Sequence, residues 1–377
     1  MSAATAVRSV RVSISTILAL TAWSCLQATL AVAAVGGGTE GKAPAASATP
    51  VRVPFIVGLT TVRAVSTPEG DYETVRVIES VDPSGYRLVV SGEVPGDEGD
   101  GPVQIVVRRK VAAADQAAAR HIRNYFHSDD DESFAGTVPG FSAAMVNELR
   151  AAGKTTITYV EVSELFGSSV VVRELTGVLT RVVDPVTSMP MLVNGRPVQL
   201  PVIHARGTLR DGEDQEAFDY VVLADPANPI VLRSSGDDTS AAILRIEFPE
   251  PAASPTSIES SLAKNEVATV YGIYFSFNRA VLRPESDRVL KEIAKTLKSH
   301  PDWKLRVDGH TDSIGNNKAN LDLSRRRADA LKAALVTRYA VDGARLTTGG
   351  SGESSPQATN ATAEGRARNR RVELRRQ

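Results

Sequence analysis

Residues 307–335 have the sequence VDGHTDSIGNNKANLDLSRRRADALKAAL, in which the end of an apolar segment, a turn-rich loop and a long helical pattern follow one another. The segment from Trp303 to Val307 is apolar enough to predict a strand, and the turn-rich GHTDSIG follows it. A long helix is predicted next, from about Asn317 to Tyr339. Polar side chains in the loop between a strand and a helix are well placed to contact a ligand.

The flanking segments extend this pattern in both directions. TVYGIYFSF (269–277) predicts a strand, and PESDRVLKEIAKTLKSH (284–300) predicts a helix with proline in its first turn and apolar residues at helical spacing. RLTTGGSG (345–352) and RRVELR (370–375) predict two closing strands. The order β-α-β-α-β-β indicates an α+β sandwich with its helices on one side of a small sheet.

Two opposite charges stand out in the loop and the helix. Asp312 lies in the predicted turn, and Asn320, Ser324 and Arg327 occupy positions i, i+4 and i+7 of one helix face. A carboxylate and a guanidinium presented together can bind the ammonium and the carboxylate of a zwitterion. The alternative is structural, with Asp312 capping its own loop or forming a simple ion pair, and the spacing alone leaves both open.

Four separated motifs resemble the OmpA-like C-terminal domain family. They are FSFNRAVLRPES (275–286), the stretch quoted above, GSGESSP (350–356) and NATAEGRARNRRVEL (360–374), and they occur in the family's order between roughly Thr269 and Leu374. The family includes OmpA, the peptidoglycan-associated lipoprotein and the flagellar stator proteins. The resemblance implies a βαβαββ domain that binds peptidoglycan non-covalently.

The resemblance also implies a binding site. The family's loop aspartate and helix arginine hold the two charged ends of a diaminopimelate residue in the peptidoglycan stem peptide, and these positions are Asp312 and Arg327. The remaining matching positions are Thr311, Asn320, Leu323, Ser324, Asn369 and Arg370. The resemblance assigns Arg371 to bracing the fold and His310 to a structural role. Phe277-Asn278 departs from the family's usual Phe-Asp, which removes one charge from a neighbouring loop.

The sequence predicts no catalytic residue, no metal site and no cofactor. His310 and Asp312 alternate along an extended segment without an evident third metal ligand. His204 in the middle of the chain has no obvious partner in the sequence. Trp303 and Phe275 are predicted to be core residues.

Residues 51–248 are predicted to form a mostly antiparallel β domain. Short Val/Ile/Leu runs alternate with turn signals, and Asn194-Gly195 predicts a tight hairpin. Two segments have helical spacing, 112–126 and 141–153, and the second ends at a glycine suited to a helix C-terminus.

The N-terminus predicts export. Arg8 and Arg11 precede a run without charged residues, and Ala31-Val32-Ala33 is a small-x-small cleavage site, so residues 1–33 are predicted to be a signal peptide. An uncleaved membrane anchor and lipidation of Cys25, the only cysteine, are the alternatives. Residues 34–50 and 249–264 are predicted linkers, and residues 265–377 the peptidoglycan-binding domain.

These predictions combine into one functional hypothesis. The chain is an exported protein of the periplasm or cell envelope, with association to the outer membrane as a further expectation. It binds peptidoglycan and thereby localises its β-rich domain, which docks other envelope proteins. The net charge of −1 argues against a nucleic-acid partner. The alternatives are an envelope enzyme with a catalytic middle domain and a membrane-anchored component of the stator type, which the lack of an acidic residue in 12–38 disfavours.

Overall fold

A computed structural model describes most of the chain after the N-terminal segment. The described residues are 52–95, 101–123, 131–165, 169–182, 186–236, 238–249, 257–276 and 279–377. The predicted signal peptide and first linker, Cys25 and Phe277-Asn278 lie outside them. Within the described residues, no helix combines the length and the apolar character needed to cross a membrane.

The first part of the described chain is dominated by strands. Its elements are β1 (Thr60–Thr67), β2 (Gly70–Asp82), β3 (Gly85–Val94), β4 (Val103–Ala112), α1 (Ala113–Ala118), β5 (His121–Ile122), β6 (Asp131–Ser133), β7 (Thr137–Val138), α2 (Ala143–Ala151), β8 (Lys154–Leu165), β9 (Ser169–Arg181), β10 (Thr187–Val193), β11 (Arg196–Asp211), β12 (Asp214–Leu223), β13 (Val231–Ser235) and β14 (Ser240–Glu247).

These strands form one sheet in the order β6-β4-β3-β2-β1-β14-β13-β12-β11-β9-β8-β5-β7, with β10 beside β11 and β14. The long neighbouring strands are antiparallel. The parallel contacts are those of the short strands β5, β6 and β7 and a brief contact of β10 with β14. The predicted antiparallel character is confirmed. Two apolar cores lie against the sheet, one under β3, β10 and β14 and one under α2, β9 and β11.

Two local sequence signals have the predicted consequence. Asn194 and Gly195 have φ values of 47° and 73°, and they connect β10 to β11 through the pair Val193–Arg196. Helix α2 stops just before Gly153, whose φ is +69°, a conformation that costs glycine little. The hairpin and the second helix are therefore confirmed.

The prediction for 112–126 is wrong in extent. Helix α1 ends at Ala118, and the chain turns extended at Ala119 and pairs as β5 with β8. Ile122 is fully buried in the core that also holds Ile157. Alanine favours helix, but burial of Ile122 and strand pairing outweigh this small intrinsic preference.

The C-terminal part contains α3 (Ser257–Ala263), β15 (Ala268–Val270), α4 (Asp287–Ser299), β16 (Leu305–His310), α5 (Asn317–Tyr339), β17 (Leu346–Gly352), α6 (Ala363–Asn369) and β18 (Val372–Arg376). Its sheet has the order β15-β18-β16-β17. Residues from α3, α4, α5 and the sheet share one apolar core around Leu290, Leu305, Leu331 and Leu374. The predicted α+β fold is confirmed, with the short helix α6 added between the last two strands.

Two boundaries differ from the sequence predictions. Part of the predicted linker 249–264 is helix α3, because Ile258 and Leu262 are buried in the C-terminal core. The strand predicted over 269–277 ends at Val270, and the chain continues through Gly272 with a φ of +150°. A side chain at Gly272 would meet Val289 and Arg245, so the chain leaves the sheet where α4 and the β-rich part approach it.

The two parts of the chain pack against each other. Tyr274 and Ala367 join Val62, Val75 and Leu244 in a small apolar cluster. Beside it, buried Arg245 donates to Glu247 at 3.0 Å and to the hydroxyl of Tyr274. The outer face of β1, β2 and β14 therefore supports the C-terminal part near α6.

Helix α5 lies unusually close to its sheet. A Cβ atom at Gly309 in β16 would come within 2.2 Å of the carbonyl oxygen of Ser324, and one at Gly350 in β17 within 2.5 Å of the Ser324 hydroxyl. Only glycine leaves room for this approach, which fixes α5 relative to the loop before it.

We expect Gly309→Ala to lower the free energy of unfolding by about 3 kcal/mol, because the methyl group would overlap backbone that has no space to move. Urea unfolding followed by circular dichroism measures this change. Gly343→Ala is the control, since its Cβ would meet only side-chain atoms at ordinary distances, Val336 at 3.4 Å and Lys332 at 4.0 Å. Equal stability of the two variants would contradict the close-packing argument.

Candidate functional site

The loop 311–316 joins β16 to α5 and is shaped by asparagines. The side chain of Asn316 caps the helix by accepting from the backbone N–H of Ala319 at 2.9 Å. The Asn320 amide donates to the carbonyl oxygens of Asp312 and Ile314 at 3.3 and 3.1 Å. These bonds hold the loop in one conformation above the first turn of α5.

The side chain of Asp312 is largely buried, with 11% of its surface exposed. One carboxylate oxygen accepts from the backbone N–H of Ile314 at 3.1 Å, and the other from Nη1 of Arg370 at 2.7 Å. Asp312 thus both caps its loop and forms an ion pair, which are the two structural roles given as the alternative to ligand binding. Its ion-pair partner is Arg370, however, and not Arg327.

Arg370 lies between two carboxylates. Besides Asp312, it contacts Glu73 of β2, which accepts from Nε at 3.1 Å and from Nη2 at 2.6 Å. Burial alone would lower the pKa of Arg370, but Glu73 and Asp312 outweigh it and raise that pKa. The β-rich part of the chain therefore reaches the candidate site through Glu73.

Arg327 projects from α5 next to this group of charges. Its Nε donates to the carbonyl oxygen of Arg279 at 3.2 Å, and its guanidinium lies 5.1 Å from the ring centroid of Phe275. Burial and the neighbouring Arg370 lower the pKa of Arg327 to about 10, whereas Asp312 and Glu73 act to raise it. Arg327 is thus still protonated at neutral pH, and Phe275, predicted to be core, is half-buried beneath it.

No carboxylate of the described residues lies within ion-pair distance of Arg327. Its charge is half-buried, and its neighbours within bonding range are a carbonyl oxygen and an aromatic ring. A half-buried guanidinium has bonding capacity left for a planar anion, which it can hold through two parallel hydrogen bonds.

The other predicted site residues lie around this centre and are buried. Ser324 ties α5 to β17 by accepting from the N–H of Gly352 at 3.0 Å, and Asn369 accepts from the N–H groups of Gln357 and Ala358. Leu323 and Thr311 are 8% and 4% exposed. The structure therefore brings Asp312, Arg370 and Arg327 to one place, with these residues supporting the loops around it.

His310 is the last residue of β16, and Arg371 directly precedes β18. Arg371 donates to Glu373 at 2.7 Å and to the carbonyl oxygen of Ser355 at 3.0 Å, which ties β18 to the preceding loop. Nε2 of buried His310 is 3.6 Å from the Glu373 carboxylate, and burial together with Arg371 lowers the pKa of His310. These contacts fit bracing roles. Across the described ranges, no three His, Cys, Asp or Glu residues are grouped so as to hold a metal ion.

His204, which has no obvious partner in the sequence, has one in the structure. Nε2 of His204 on β11 is 2.8 Å from the carboxylate of Asp219 on β12. These two strands pair in a register that places Gly207 opposite Phe218, the residue before Asp219. Arg206 contacts the same carboxylate. Strand pairing brings these residues together, and no spacing within a single element could have indicated it.

Comparison with known proteins identifies the C-terminal part. Residues 274–370 match the OmpA family. The chain is 46% identical over 101 residues to outer membrane porin F of Pseudomonas aeruginosa, covering 27% of this chain and 29% of that protein. It is 40% identical over 126 residues to the peptidoglycan-binding protein ArfA of Mycobacterium tuberculosis, covering 33% and 38%.

A solved structure is also similar, the peptidoglycan-associated lipoprotein from Burkholderia pseudomallei. It shares 31% identity with a TM-score of 0.26, and the match covers 28% of this chain and 88% of that one. The chain thus contains an OmpA-family domain at 274–370, and it spans well under half the length of the two curated relatives named above.

We expect Glu73→Gln to lower the free energy of unfolding by about 1–2 kcal/mol, because it removes one of two carboxylates from the largely buried Arg370. Urea unfolding measures the change. Glu79→Gln on the same strand is the control, since Glu79 is 42% exposed and its nearest arginine nitrogens are 3.8 Å away. Equal effects of both variants would show that Glu73 makes no special contact.

Proposed function

We propose that the OmpA-family domain binds peptidoglycan non-covalently by holding a diaminopimelate residue of the stem peptide, and that it thereby localises the β-rich domain at the cell wall. Asp312 takes the ammonium group of that residue, and Arg327 takes its carboxylate. The observation that carries the proposal is the pairing of charges at the site. Asp312 is held beside Arg370 and Glu73, whereas Arg327 has no carboxylate partner among the described residues.

The charges of the site suit a zwitterion. Asp312 and Glu73 supply two negative charges, and Arg327 and Arg370 supply two positive ones, so their sum is zero. Because Glu73 shares the guanidinium of Arg370, that arginine does not fully neutralise Asp312, which keeps its attraction for an ammonium group. A ligand carboxylate on Arg327 would supply the opposite charge that this half-buried arginine lacks.

Two similarities support the proposed ligand class. One relative is named a peptidoglycan-binding protein, and a similar solved structure is named a peptidoglycan-associated lipoprotein. Another relative is named outer membrane porin F, and this name gives its location as the outer membrane. We propose that this chain is likewise exported, that it acts in the periplasm or cell envelope, and that its β-rich domain docks other envelope proteins.

We expect Asp312→Ala and Arg327→Ala each to weaken binding of the full-length protein to purified sacculi at least tenfold. Each removes charge-assisted hydrogen bonds of about 1.5–3 kcal/mol and leaves one ligand charge without a partner. Co-sedimentation over a range of protein concentrations measures the affinity. Arg326→Ala and Asp322→Ala are matched controls, because these exposed residues pair with each other on the same helix.

Competition by soluble stem peptides tests the diaminopimelate assignment. A peptide with lysine in place of diaminopimelate keeps the ammonium group but lacks the carboxylate, so it should compete more weakly with sacculi for the wild-type protein. Arg327→Ala should no longer distinguish the two peptides. Wild-type binding by both alanine variants, or equal competition by both peptides for the wild-type protein, would contradict the site assignment.

The proposed binding has no chemical step, unlike the alternative of an envelope enzyme. We therefore expect the full-length protein to leave sacculi intact in a zymogram, with lysozyme as the positive control for lysis. A cleared band at the mass of this chain would contradict the non-enzymatic proposal and point to catalysis by the β-rich domain.

A further inference from the structure

The β-rich domain contains arginines on the inner face of its sheet, the face opposite the one that carries Glu73. Arg76 of β2 pairs with Thr61 of β1, and Arg63 of β1 pairs with Thr74, so both arginines lie on one face of the sheet. Arg63 is only 9% exposed, and the Nε atom of Arg76 is buried. The opposite face of the same strands carries the apolar residues that contact the C-terminal domain.

These two guanidinium groups have no carboxylate partner within the described ranges. No described side chain or carbonyl group bonds to the Arg63 guanidinium, and Nε of Arg76 lacks a hydrogen-bond partner. By contrast Arg109, on the same face of β4, donates to the carbonyl oxygen of Arg123 at 2.6 Å and to Thr137. Buried charges without a counter-charge are costly, and the positive charges of Arg63 and Arg76 also repel each other.

The pKa values of Arg63 and Arg76 are both lowered. Burial lowers the pKa of Arg63, opposed only by tyrosines, and burial together with Arg63 and Arg109 lowers the pKa of Arg76. The largest contributions to these two shifts include no acidic side chain. An anion that entered this region would relieve both the burial cost and the mutual repulsion.

A cavity of about 110 Å³ lies next to these arginines. Its polar lining includes Arg63 and Arg76 together with Thr61, Gln116 and Asn228. Its apolar walls include Phe55 and Tyr86, whose rings pack edge to face at 5.0 Å. The volume corresponds to roughly four water molecules at about 30 Å³ each, which is enough for a carboxylate group with a short aliphatic chain.

We propose that this cavity is a binding site for a small organic carboxylate. Arg63 and Arg76 hold the carboxylate oxygens, and the aliphatic part of the ligand packs against Phe55 and Tyr86. Guanidinium groups match the geometry of carboxylates, and the aromatic walls distinguish this site from one built for a fully hydrated inorganic anion. The site is separate from the proposed wall-binding centre, so the two proposals can be tested independently.

The test uses the full-length protein and acetate, propionate and butyrate as probes, with chloride as the matched salt. Propionate and butyrate should raise the unfolding temperature in a saturable manner, because they bind only the folded chain. Saturation-transfer NMR should show the largest transfer at the terminal methyl protons of the ligand. Arg63→Gln and Arg76→Gln should each weaken the apparent affinity at least tenfold.

The same variants separate a ligand-binding role from a merely structural one. Without carboxylate, Arg63→Gln and Arg76→Gln should unfold at a temperature equal to or above that of the wild type, because each removes an uncompensated charge. Arg206→Gln is the control, since Arg206 is 61% exposed, pairs with Asp219 and lies outside the cavity. Arg76 is the less buried of the two arginines, so Arg76→Gln can be used to test the proposal if Arg63→Gln does not fold.

Three results would overturn the proposal. These are the absence of any saturable effect of the carboxylates, an unchanged response in both cavity variants, and stabilisation by phosphate or sulfate but not by propionate. The last result would assign the cavity to an inorganic oxyanion instead.

Discussion

The close approach of α5 to β16 and β17 is the constraint on which the candidate site depends. Gly309 and Gly350 let the helix backbone near Ser324 lie directly on the two strands, and the Ser324 hydroxyl bonds to β17. Because α5 is rigid, this contact determines both the start of the helix, below Asp312, and the position of Arg327 one turn beyond Ser324. The loop residues then need only a few hydrogen bonds to complete the arrangement.

The charges at the site come from three places along the chain. Asp312 and Arg327 belong to one strand–loop–helix unit, Arg370 follows α6, and Glu73 comes from the β-rich domain. Arg370 connects them, because its guanidinium serves one carboxylate from each domain. The packing of the two domains therefore contributes to the electrostatics of the proposed wall-binding site, and a change in that packing would alter the charge next to Asp312.

Local signals predicted much of the C-terminal domain. The sequence placed the long helix at about Asn317 to Tyr339, where the structure has it, because a continuous helical pattern follows the turn-rich loop. Helix α3 was missed because its flanks resemble a linker, although Ile258 and Leu262 are buried. Helix 112–126 was overestimated because the burial of Ile122 is a tertiary effect. Glu73 carried no signal at all, since its contact joins residues 297 positions apart.

The pKa of a buried arginine depends on whether a carboxylate lies beside it, and Arg370 differs in this respect from Arg63 and Arg76. At Arg370 the chain itself supplies two carboxylates, and the pKa of that arginine is raised. At Arg63 and Arg76 the described chain supplies none, and both pKa values are lowered by burial. A fold that only needed to be stable would place apolar residues at these two positions, since well-packed apolar groups cost less than uncompensated charge. Retaining both charges on the inner face beside a cavity is therefore better explained by an anion that binds there than by the stability of the sheet.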